Sequence, residues 1–127
     1  MKKDSVSFAV TILLGLGLVL VGVSALVAPK FASTMFGVTV EDSRALVYVY
    51  ATGLRDVVIG GLLAALALLG AGRRILGMSL IILALIPVGD AIIILLTARE
   101  RSAMALSMHI LSAIAFVILG LWFRRDS

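Results

Sequence analysis

Cysteine is absent from the 127 residues, which excludes disulfides, thiolate metal sites and a cysteine nucleophile. There is one histidine, His109, so no His-rich metal cluster can form. No glycine-rich phosphate loop is present either, and neither metal nor cofactor is expected. Charge is equally scarce: 14% of the residues are charged, against about a quarter in ordinary soluble domains. So few polar groups cannot cover the outside of a soluble fold. What is abundant is apolar: 62% of the chain is hydrophobic and the mean hydropathy is +1.23. The chain is read as one integral membrane domain, all-α, spanning residues 1–127. Its formal net charge of +4 does not point to nucleic acid, because nearly all Lys and Arg stand at the ends of apolar runs, where they anchor to the bilayer surface.

Four apolar runs are long enough to cross about 30 Å of hydrocarbon. They cover about residues 6–28, 45–70, 75–97 and 103–123, and short polar connections make them an antiparallel four-helix bundle. The first run is too long for a signal-peptide core of roughly 7–15 residues and is read as a retained span. Pro29 ends it. The following KFASTMFGVTVEDSR can set Phe31, Met35 and Phe36 toward lipid and Lys30, Glu41, Asp42 and Arg44 toward water, as an interfacial connector with a short helical turn. Gly72, Arg73 and Arg74 form a basic turn between the second and third spans. Arg99, Glu100 and Arg101 separate the third from the fourth.

Lys2, Lys3, Arg73, Arg74, Arg124 and Arg125 fall on one side, against Lys30, Arg44, Arg99 and Arg101 on the other. The positive-inside rule then puts both termini in the cytoplasm, in a bacterial inner membrane.

Inside the spans, charge is confined to three positions, with His109 as a further titratable group. Arg55 and Asp56 lie just outward of the centre of the second span, near Val58. Asp90 lies about 6 Å outward from the centre of the third and His109 about 6 Å outward from the centre of the fourth, at a rise of roughly 1.5 Å per residue. Four groups from three helices share one depth. Charges placed there face the bundle interior and pair with one another, since each costs about 2.5–3.5 kcal/mol at the bilayer centre on insertion scales. With His109 protonated the set is neutral. With His109 neutral it holds one negative charge in excess, the logic of a proton-coupled or acid/base site. Consecutive residues point about 100° apart on a helix, so Arg55 is expected to reach across to Asp90 rather than pair fork to fork with Asp56. Asp56 is left facing His109 or a water-filled cavity. Thr52 and Tyr48 lie one and two turns outward on the same face and are candidate entrance residues.

Pro87 frees a carbonyl one turn before Asp90 and is the candidate helix kink. Gly15 and Gly22 in the first span, and Gly53 and Gly60 in the second, each recur at a seven-residue spacing that would let these spans pack closely. Phe116, Met104 and Met108 could shape an apolar pocket beside His109, and Trp122 reads as an interface anchor.

The PKFASTMFG stretch from Pro29 to Gly37, GLRD from Gly53 to Asp56, IPVGD from Ile86 to Asp90 and His109 in the last span resemble, in order and spacing, a family of small four-span membrane proteins of bacteria and fungi known as a domain of unknown function. The resemblance covers essentially the whole chain. It implies a four-helix membrane fold and transfers no mechanism. A looser similarity to DoxX-like proteins concerns architecture alone.

Three functions fit these residues. The first is binding of a small lipophilic molecule by its polar head at Arg55, Asp56, Asp90 and His109, with transport together with protons as an extension that would require a homodimer. The second is an intramembrane acid/base enzyme, an isomerase or epoxide-opening hydrolase acting on a lipid-like or terpenoid substrate, with His109 or one Asp as base and Arg55 orienting. The third is a structural membrane subunit whose ion pairs only fix helix register.

Overall fold

A computed structural model describes residues 2–97 and 102–125, and all the regular structure in them is helical. Six helices follow one another: α1 (Lys2–Val27), α2 (Pro29–Phe36), α3 (Leu46–Leu68), α4 (Arg73–Leu83), α5 (Leu85–Thr97) and α6 (Ala103–Arg125). Helices α1, α3 and α6, together with α4 and α5 taken as one span, supply four segments long and apolar enough to cross a membrane: Ser5–Val27, Leu46–Leu68, Arg73–Thr97 and Ala103–Arg125. The bundle expected from the sequence is therefore present. Arg99, Glu100 and Arg101 lie outside the described residues.

Lipid is as apolar as leucine, so spans associate by close packing rather than by hiding from solvent. The α1–α3 contact shows how. Gly15 and Gly22 of α1 lie directly against Gly60 and Gly53 of α3: a methyl added to Gly15 would stand 2.7 Å from the Gly60 carbonyl oxygen, and one added to Gly22 would stand 2.7 Å from the Val57 nitrogen. Only hydrogen in place of a side chain permits that approach. Gly77 and Gly120 bring α4 and α6 together in the same manner, a methyl on Gly77 falling 2.9 Å from the Gly120 oxygen. The molecule is thus two close pairs of spans, α1 with α3 and α4–α5 with α6.

The pairs meet in a core at one end of the bundle. Leu63 and Ala67 of α3, Leu76 and Leu80 of α4, and Phe116 and Phe123 of α6 are buried there, with Phe8 and Leu18 of α1 packed against them. Phe8 meets Phe123 edge to face at 5.3 Å. The Arg73 guanidinium carbon lies 5.3 Å above the Phe123 ring, and its Nη2 donates to the Trp122 carbonyl at 3.4 Å. These contacts put the start of α1, the α3–α4 turn and the end of α6 on the same side.

The turn between the second and third spans lies earlier than expected: it occupies residues 69–72, and Arg73 and Arg74 form the first turn of α4 rather than part of the connection. Gly70 has φ 69°, and the Ala71 amide donates to Leu66 O at 2.9 Å while Gly70 donates to Ala67 O at 3.2 Å. This is the paired bond pattern of a helix closed by a left-handed residue. Gly37 has φ 97° and closes α2 likewise, with its α-carbon pressed toward the Ala105 side chain. The expected interfacial turn is a full eight-residue helix with Pro29 in its first turn. Phe31 is exposed on it, and Ser33 is buried.

Candidate functional site

Three helices bring the charges of the candidate spans together away from the core end. Arg55 and Asp56 sit in the middle of α3. Asp90 sits in α5 just after an interruption: the third span breaks at Ala84, three residues before Pro87. Proline has no N–H for the Leu83 carbonyl, and its ring crowds that turn. The next bond along, from the Val88 amide to Ala84 O, is stretched to 3.3 Å. His109 comes from the first half of α6.

The contacts form a chain. Arg55 Nε donates to Asp56 Oδ1 at 3.0 Å, Arg55 Nη2 stands 3.7 Å from Asp90 Oδ2, and His109 Nδ1 stands 3.9 Å from the same Asp90 oxygen. One detail departs from the sequence reading. The shortest contact of Arg55 is with its own neighbour, because Nε points sideways from the arm and reaches Asp56 without the fork geometry that a 100° separation forbids. His109 has its ion-pair contact with Asp90, while Asp56 borders a small void, the second of its two expected surroundings.

Burial is partial rather than complete. The Asp56 and Asp90 side chains are each 14% exposed, His109 16%, and Arg55 37%. The Arg55 side chain is therefore the most accessible member of the network. Phe36, expected to face lipid, instead turns inward from the end of α2 and meets the His109 imidazole edge to face at 4.8 Å. Phe36 and His109 are far apart in sequence, so only the path of α2 across the bundle could have shown this.

The other candidates sit less centrally. Thr52 is half-buried, and its hydroxyl donates to Tyr48 O at 2.9 Å. Tyr48 is 75% exposed on the outside of the bundle. Met104 and Met108 are also exposed, whereas Phe116 is buried. Phe116 lines, with Asp56, Leu18, Ile59 and Pro87, a void of about 20 Å³ between the spans. That is room for a single water, far below the roughly 300–1,000 Å³ of a formed small-molecule pocket. Among the described residues no group of His, Asp or Glu side chains is placed to hold a metal ion.

Taken together, fold and composition define a small integral membrane protein of four helical spans. The chain belongs to the family of the domain of unknown function DUF4267, which it matches over residues 15–123. No curated protein and no solved structure matches it.

Proposed function

We propose that this protein binds a small lipophilic molecule, holding its polar head against Arg55, Asp56, Asp90 and His109 within the bilayer. One observation carries the reading: the Arg55 side chain is 37% exposed in the middle of an apolar span, while the Asp56 and Asp90 side chains that balance its charge are each 14% exposed. A cation kept only for helix register gains nothing from exposure to hydrocarbon, where each charge costs about 2.5–3.5 kcal/mol on insertion scales. A polar head laid against it offsets that cost. Passing the molecule across the membrane would take a second copy of the chain, since the void beside Asp56 has room for no more than a water.

A thermal-shift series tests the reading, with detergent-purified wild type and Asp90→Asn set against lipophilic amines, acids, terpenoids and quinones. Stabilisation of the wild type that is lost in Asp90→Asn is the expected result. If no compound shifts either protein and Asp90→Asn only melts lower, the ion pairs are structural.

An acid/base enzyme is the second reading. Its support is that carboxylates from two helices approach one guanidinium, with an imidazole against one of them. It requires that Asp56→Asn and Asp90→Asn each abolish turnover of an identified lipid-like substrate.

A further inference from the structure

We infer that the ligand enters from the side, through the cleft between α3 and α5, and that it is an uncharged lipophilic molecule bearing an acceptor oxygen: a ketone, quinone or ester. This rests on the reading above, that the four ion-paired residues form a ligand site.

The cleft follows from the packing. Helix α3 lies along α1, and α5 lies along α6, while the backbones of α3 and α5 scarcely approach one another. What joins them at this level is the pair of Arg55 and Asp90 side chains. Thr52, Arg55 and Ile59 recur at helical spacing on α3 and are half-buried, as are Ile86 and Gly89 on α5. A methyl added to Gly89 meets nothing within 4 Å, so α5 has open space at that position. Toward the surface, the way in is blocked by α2, whose Phe36 covers the imidazole and whose Gly37 packs on Ala105. The remaining approach is lateral.

The class of ligand follows from donors and charge. The Nε–H of Arg55 is used by Asp56, and Nη2 stands beside Asp90, but no acceptor stands against Nη1 among the described residues. A guanidinium only donates, so the facing ligand atom is an acceptor. The groups around it are Arg55, Asp56 and Asp90 with His109 behind, and their charges sum to zero or to one negative. No positive charge is left for an anion, whose carboxylate would stand beside two fixed ones. An ammonium head would meet Arg55 first. A carbonyl oxygen satisfies Nη1 and adds no charge.

Four probes with similar tails test this on the detergent-purified full chain: 2-undecanone, undecanoate, undecylamine and undecane. We expect 2-undecanone alone to raise the melting temperature of the wild type. Arg55→Gln should weaken its binding by about tenfold or more, as should Gly89→Leu, which fills the cleft. Gly89→Leu without ligand should melt with the wild type, because the added side chain starts in open space. Binding of undecylamine or undecanoate as tight as that of the ketone overturns the proposed class while leaving a ligand site in place. Undiminished ketone binding by folded Gly89→Leu overturns the cleft. If none of the four probes binds the wild type, the inference falls, and the broader thermal-shift series decides whether the binding reading falls with it.

Discussion

Asp90 stands between Arg55 and His109 at 3.7 and 3.9 Å, both too long for a hydrogen bond, whereas Arg55 and Asp56 share one at 3.0 Å. The two acids should therefore couple to Arg55 unequally. In double-mutant cycles read by thermal or denaturant melting, Arg55→Gln with Asp90→Asn should show a coupling of about 1 kcal/mol or less, as expected for a half-exposed pair. Arg55→Gln with Asp56→Asn should show the larger value, because the single Arg55→Gln change leaves Asp56 without its donor. Equal couplings would mean that the neighbour contact is incidental. The sequence made the meeting of these residues legible through depth alone, since a shared position along three spans can be counted. It could not show which partner Arg55 prefers, because that depends on how a long side chain bends. Nor could it show how much of each group stays accessible, because exposure depends on where the helices part.

At the scale of elements, the glycine seam is the sharpest test of packing. Gly22→Ala places a methyl 2.7 Å from the Val57 nitrogen and 2.8 Å from its Cγ2, and helix backbones cannot yield as a flexible side chain can. A loss of about 1–3 kcal/mol is expected, the usual cost of overpacking. Gly17→Ala, where nothing lies within 4 Å, should leave the melting temperature unchanged or raise it. This seam was readable from the seven-residue spacing of Gly15 with Gly22 and Gly53 with Gly60, because periodicity is a property of the chain itself. Pro87 announced a disturbance for the same reason, although the exact place of the break, at Ala84, follows from local geometry. Pro87→Ala restores the missing N–H and should fuse α4 and α5 into one helix. The protein should then melt no lower than the wild type, while ligand binding falls, because Asp90 is carried away from Arg55 by the straightened span. Unchanged binding in a stable Pro87→Ala protein would separate the break from the site.

For the whole molecule, the pairing of spans sets where it is firm and where it yields. The buried core joins both pairs at the end that holds the α3–α4 turn, whereas at the level of the charges α3 and α5 are linked by side chains. Amide exchange should accordingly be slower in α1 and α3, locked by their glycines, than in α5, and ligand should slow exchange in α5 most. Both termini lie on one side of the bundle, as the Phe8–Phe123 contact requires. From the distribution of Lys and Arg we propose that this side faces the cytoplasm. Fluorescent-protein fusions at either terminus should therefore be bright and alkaline phosphatase fusions inactive; a mixture of both outcomes at one terminus would mean that the chain inserts in two orientations.

The Arg55–Asp56 contact has a consequence for how the protein is made. A ribosome delivers α1 to α3 before Asp90 or His109 exists, so during that interval the first pair of spans must enter the bilayer with an arginine that lacks its later companions. Asp56 is synthesised immediately after Arg55 and lies within hydrogen-bond reach of it in the finished helix. The newborn hairpin thus brings its own counter-ion. Its second span carries no net charge on leaving the translocon, and the step that would otherwise expose a lone cation to hydrocarbon is avoided.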